Sequence, residues 1–376
     1  MSLGIYFHIP FCQSKCHYCH FLTVPYHSET AERYERAVTK ELKVFSQKSG
    51  EEKVDSIYFG GGTPSLGPSR PITNLLLECR KYYFLANDCE ISLEANPGTI
   101  TMEKTLDFCR SGVNRISMGA QSFDDSELES IGRIHNAEMI VESLHRLRNA
   151  GLFNINLDLM LGLPQQTSRS WKRNLERIIK LDIPHLSVYM LDLDEQCPLH
   201  SMLANGSVQV PDESLIADLY LETVEYLSSW GYQQYEISNF AREGFSCRHN
   251  LKYWMREPVQ GFGLGSHSFN GHDRYANNTQ IDEYIQAIES GKSSEAWRVG
   301  VSAQQAVEEA LFLGLRLTNG VNWDRLRERC SQNCRDEYEI AFKRFLNEGW
   351  IEWKDSTIRL TPLGMLFSNE VFQCFV

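Results

Sequence analysis

Six times between residues 4 and 191, an apolar run rich in β-branched and aromatic residues is followed by a longer segment with helical periodicity. The runs are 4–9, 55–60, 89–95, 114–119, 154–159 and 185–191, with helical segments such as 30–49 and 137–150 between them. A chain that alternates in this way buries its helices against a parallel sheet through right-handed crossovers. The predicted fold is therefore α/β, either doubly wound or curled into a partial (β/α)6 barrel. In both, functional groups gather at the C-terminal ends of the strands. A further helix is predicted over 213–230. Residues 231–300 are richer in Gly, Asn, His and aromatics and lack a clear period, so they read as an irregular extension packed on the sheet. Helical patterns at 303–315, 322–330 and 337–348 then precede two short strands at 350–353 and 357–360 and a last helix from Pro362, the outline of a small winged-helix-like domain. The expected division is a core barrel at 1–230, an extension at 231–300 and a C-terminal domain at 301–376.

With 376 residues, 42% of them hydrophobic, the chain can bury a substantial core. Its formal charge of −12 opposes binding to phosphate backbones and no basic run offsets it, so nucleic acid is not an expected partner. The opening MSLGIYFHIPF lacks the charged lead and long apolar core of a signal peptide, and no stretch of about 18 apolar residues occurs. The expectation is a cytoplasmic protein without a membrane span. Eleven cysteines in such a chain favour metal or redox use over a disulfide framework.

The loop after the first run reads HIPFCQSKCHYCHF and sets Cys12, Cys16 and Cys19 in a C-x3-C-x2-C pattern. At about 3% cysteine, two more at fixed offsets arise by chance roughly once in a thousand. Closely spaced thiolates suit an iron–sulfur cluster, which one short loop can wrap; they also suit zinc, with His17 or His20 as fourth ligand. Spacing alone leaves both open. Downstream, each strand ends in a glycine-rich or polar motif. The second ends in GGGTP, Gly60 to Pro64, where missing side chains let backbone approach a ligand. The third ends at Glu94 in EANP, the fourth runs into GAQSF with Gln121, IGRIH holds Arg133, and the fifth carries Asp158 in DLMLGLP. Singly, each could cap a helix or shape a turn. Together they align at the mouth of one sheet.

The cysteine spacing and these motifs resemble the radical S-adenosylmethionine (SAM) superfamily over nearly the whole chain. The resemblance implies a radical-SAM barrel, a 4Fe-4S cluster on Cys12, Cys16 and Cys19, and SAM ligating the open iron through its amino and carboxylate groups. It also implies cleavage of SAM to methionine and a 5'-deoxyadenosyl radical, the protein supplying orientation and exclusion of water and oxygen. Carried over position by position, it makes Tyr6, Tyr18, Gly61, Gly62, Thr63, Glu94, Gln121, Arg133 and Asp158 the SAM contacts.

Two branches share the barrel, the motifs and a C-terminal domain of this kind: the oxygen-independent coproporphyrinogen III oxidases and the HemW-like haem chaperones. The oxidases continue the loop as C-x2-C-x-C, whereas Phe21 here gives the C-x2-C-x-F of the chaperones. The oxidases also carry a long N-terminal extension, while this chain opens almost directly on its first strand. CRHNLKYW supplies His249, Asn250, Tyr253 and Trp254 of the chaperones' HNxxYW motif. That branch implies haem as a bound group, with an imidazole as axial ligand and Tyr and Trp as flat apolar faces. On a helix, His249 and Tyr253 share a face; the plainer reading is a buried histidine among aromatics. The expected function is a haem chaperone that delivers haem to an acceptor protein, with cluster and SAM tuning the transfer. The alternative is oxidative decarboxylation of coproporphyrinogen III propionates. The residues identify neither the acceptor nor the electron donor. Cys330 and Cys334, with no third ligand near, read as ordinary thiols, and the C-terminal domain as a lid or partner surface.

Overall fold

The computed structural model describes residues 2–49 and 52–375. All six predicted parallel strands form: β1 (Leu3–Ile9), β2 (Lys53–Gly61), β3 (Phe84–Ala95), β4 (Arg115–Gln121), β5 (Ile155–Leu161) and β6 (His185–Met190). They pair in chain order, every pair parallel. Strand alternation divides each strand between two faces. Ile5, Phe7, Ile57, Phe59 and Leu93 point outward and are fully buried beneath the helices. The residues between them, Tyr6, Tyr58 and Glu94 among them, turn to the concave face, where Tyr58 donates to Glu94. Helix starts follow from the sequence: the side chains of Thr101, Asn136 and Thr167 each accept a backbone N–H at the beginning of Met102–Ser111, Ala137–Asn149 and Ser168–Lys180.

Residues 231–300 are more regular than their sequence suggests. They add β7 (Gln233–Glu236) and β8 (Asn239–Ala241) beyond β6. On the other edge they add β9 (Val259–Phe262), β10 (His267–Phe269), β11 (Asp273–Asn277) and β12 (Glu295–Gly300). One sheet thus runs β12-β11-β10-β9-β1-β2-β3-β4-β5-β6-β8-β7. β9 lies parallel to β1 and the other additions pair antiparallel. Strands of three to six residues are too short to show a period, and their partners specify them. Between β8 and β9 the helix Arg248–Trp254 lies across the N-terminal ends of β1 to β3. Its Arg248 donates to the carbonyl of Asp55 and its His249 N–H to Glu90.

The C-terminal part has the expected winged-helix outline: helices Ala303–Gly314, Trp323–Arg327 and Gln332–Asn347, then strands Ile351–Lys354 and Thr357–Leu360, with Val321–Asn322 as a third strand. Its core centres on Trp323 and Phe342, whose rings meet edge to face at 5.2 Å. Backbone bonds from Ile237 N to Arg316 O and from Thr318 N to Tyr235 O, both 3.2 Å, fasten it to the strand at the sheet edge. Among the described residues no helix is long and apolar enough to cross a membrane.

Candidate cofactor site

At the C-terminal strand ends a cavity of about 570 Å³ opens, and Cys12, Cys16 and Cys19 all line it. So do Tyr18, Gly61, Gly62, Thr63, Glu94, Gln121, Arg133 and Asp158. Parallel strands deliver these residues to one rim because they all end there. Of the predicted SAM contacts only Tyr6 lies off this wall. It sits deeper in the barrel, its hydroxyl 3.1 Å from His8 Nδ1 and its ring stacked on Tyr58.

The cysteine loop is held from several sides. Cys19 N bonds Cys16 O at 3.2 Å, His17 N bonds Ile131 O at 3.0 Å, and Leu199 N bonds His17 O at 2.9 Å. Thr63 Oγ1 lies 3.6 Å from Cys12 Sγ, and Arg133 Nη1 donates to Cys16 Sγ at 3.5 Å. All three cysteines are free and half-buried, and burial raises the thiol pKa values of Cys12 and Cys19. Among the described residues no three His, Cys, Asp or Glu side chains surround a point that one metal ion could occupy. Zinc would draw its ligands to a single centre, whereas a cubane distributes three thiolates over three irons.

A polar chain continues along the wall. Arg133 Nη2 donates to Asn96 Oδ1 at 2.7 Å and to the carbonyl of Gly119, and Asn96 Nδ2 donates to Thr63 Oγ1 at 2.9 Å. Glu94 accepts from Tyr58 Oη at 2.9 Å and from Gly61 N at 3.0 Å. Burial lifts the Glu94 carboxyl to about 7, against the pull of the Tyr58 hydroxyl and with a further push from Asp158. Asp158 is also raised, again chiefly by burial, and accepts from Asn156 at 2.7 Å. Gln121 Oε1 and Arg133 Nε are buried without a partner. Gln121 also holds a φ of 64°, strained for a residue with a side chain. Such orphaned polar atoms on a cavity wall fit a polar ligand bound there.

Residues 6–191 match the family model described as the radical SAM superfamily, and residues 301–367 match the HemN C-terminal domain. The chain is 34% identical to the haem chaperone HemW of Bacillus subtilis (strain 168), over 99% of this chain and 98% of that protein. The chain belongs to the HemW family of radical SAM proteins. Another such relative, the haem chaperone HemW of Synechocystis, is 34% identical over 99% of this chain and 95% of its own length. The fold agrees with that of the radical SAM enzyme coproporphyrinogen III oxidase (HemN) of Escherichia coli: TM-score 0.87 at 22% identity, covering 100% of this chain and 90% of that one. Membership implies a 4Fe-4S cluster and SAM as cofactors, and the three thiols and the orphaned polar wall fit them. The three cysteines would hold the cluster and the polar wall SAM, and the pair would supply one-electron chemistry at the SAM sulfonium.

Within this HemW-family barrel, Gly62 is held by packing as well as by any ligand. A Cβ there would meet the backbone of Pro10 and Phe11 at 2.7 Å, while Gly62 N bonds Ile9 O at 2.9 Å. Gly62→Ala is therefore expected to push the cysteine loop away and cost about 1–3 kcal/mol of apo-protein stability, measurable by denaturant unfolding.

The HNxxYW residues do not reach the cavity wall. The helix that carries them lies at the opposite end of the barrel. His249 is 1% exposed, with Nδ1 3.0 Å from Ser56 Oγ and Nε2 3.1 Å from Tyr253 Oη. Burial, with Lys252 nearby, drops its pKa to about 3, so the ring is neutral. Asn250 is half-buried on the same helix, and the Trp254 face is covered by Arg316. Sequence reasoning also passed over Tyr58, Asn96, Tyr189 and Arg316. Strand alternation could have found Tyr58 and Tyr189, and Asn96 stands two residues after Glu94. Nothing local marks Arg316, which reaches the wall from the other domain.

Proposed function

We propose that this chain binds haem and passes it to an acceptor protein, with the cluster and SAM in the strand-end cavity setting when transfer occurs. The observation that carries this reading is full-length similarity to a protein named as a haem chaperone, in a chain whose cluster loop continues to Phe21 instead of a further cysteine. Phe21 is exposed and lines the cavity beside His20, so an apolar ring stands where the loop meets solvent.

Anaerobic titration of the reconstituted protein with haemin is expected to produce a saturable Soret band, and haem so bound should move to an apo-haemoprotein. No band overturns the reading. So does conversion of coproporphyrinogen III to protoporphyrinogen IX when SAM and a reductant are supplied. Because both ring nitrogens of His249 are engaged, His249→Ala should keep the Soret band. The same variant should lose about 2–4 kcal/mol of stability through the cavity it leaves and the two hydroxyls it strands. Loss of the band with stability intact would make His249 the iron ligand.

A further inference from the structure

Arg316 lines the same cavity, but it comes from the C-terminal domain, just past the helix Ala303–Gly314. Among the described residues it forms no ion pair within 4.0 Å, and its Nε is buried without a partner. Glu236, whose charge is felt at Arg316, accepts at Oε1 from the Asn239 side chain and from Ser238 N. The guanidinium lies 4.4 Å from the centre of the Trp254 ring and 5.7 Å from that of Phe372, so aromatic rings brace it. Arg133, the other arginine on the wall, is occupied with Asn96, Gly119 and Cys16. Arg316 therefore retains an unspent fork of donors, the geometry that grips a carboxylate in two parallel bonds. On the same lining Phe21, Tyr189 and Met190 expose 59%, 39% and 37% of their surfaces. An apolar shelf with an unpaired guanidinium behind it suits a flat, apolar molecule that carries an acid.

We propose that Arg316 is the carboxylate receptor of this cavity, reading a propionate of the haem cargo, and that Trp254 is a positioning residue that holds the guanidinium against the wall. The proposal rests on the haem reading above. It also gives the tryptophan of HNLKYW a task that a macrocycle stacked on its face would not.

The test compares haemin with haemin dimethyl ester, which keeps the ring and loses both charges, on the full-length, cluster-loaded protein. Wild type is expected to bind haemin about tenfold or more tighter than the ester, and Arg316→Gln to bring the two affinities together by weakening haemin alone. Arg316→Lys, which keeps the charge but not the fork, should show an intermediate ratio and serves if Arg316→Gln does not fold. Trp254→Leu should lower the haemin-to-ester ratio and Trp254→Phe restore it, whereas loss of mere packing would weaken both ligands equally. A ratio unchanged in Arg316→Gln, or near one in wild type, overturns the proposal alone. Weaker SAM binding in Arg316→Gln with the ratio intact also overturns it, by assigning the residue to the SAM carboxylate. No haemin binding by wild type overturns the haem reading and the proposal with it.

Discussion

Replacing any one of Cys12, Cys16 or Cys19 with alanine is expected to abolish the iron–sulfur cluster, with bound iron and sulfide falling by at least about tenfold after anaerobic reconstitution. Even losing a group that only supports a metal ligand costs 10- to 100-fold in affinity, and here a ligand itself goes from a set of three. The surrounding bonds explain why no other cysteine can substitute. The loop is pinned to Ile131 and Leu199, and the nearby Cys197 is spent as a donor to the carbonyl of Tyr18 at 3.2 Å. Cys330→Ala is the control, since that thiol is buried in the C-terminal domain and donates to Leu326 O at 3.5 Å. Equal iron and sulfide in a loop variant and in Cys330→Ala would remove the loop as the cluster's seat. Zinc without sulfide in the wild type would remove the cluster.

The second large effect concerns Glu94. Its carboxyl titrates near 7 because burial outweighs the bonds from Tyr58 and Gly61, so the apo protein at neutral pH is divided between the acid and the carboxylate. A cationic sulfonium ligand selects the carboxylate. SAM affinity should therefore rise up to about tenfold between pH 6 and 8 and level off above. Glu94→Gln should weaken SAM by about 10- to 100-fold, the worth of a hydrogen bond to a charged group, and flatten that profile. Apo stability runs the other way. The folded-state value lies above the ordinary 4.5, so between about 4.5 and 7 the folded protein holds a proton that the unfolded chain has released. The Glu94 contribution to stability is thus present in full below 4.5 and is lost as pH rises through 7. Calorimetric titration and denaturant unfolding on the same samples separate the two. A pH-independent SAM affinity in wild type would show that Glu94 does not meet the ligand's charge.

Much of this architecture could be read from local pattern. The strand His185–Met190 begins where its apolar run begins, the helix Ala137–Asn149 ends one residue before its predicted limit, and the cysteine loop was visible as spacing alone. Strand-end residues such as Glu94 and Asp158 could be placed together because parallel strands share a direction, so their ends meet whatever the side chains do. The same reasoning failed at 231–300, where strands as short as Asn239–Ala241 carry no period and exist because β6 offers an edge to pair with.

The sequence by itself determined the order of strands and helices, the thiolate loop and the polar rim, because periodicity and short spacings are properties of neighbouring residues. Only the tertiary structure decided that His249 is sealed between Ser56 and Tyr253 and that Arg316 crosses from another domain to the cavity wall with Trp254 behind it. Both facts depend on how distant segments pack, and burial and pairing are set by that packing, not by the residue type.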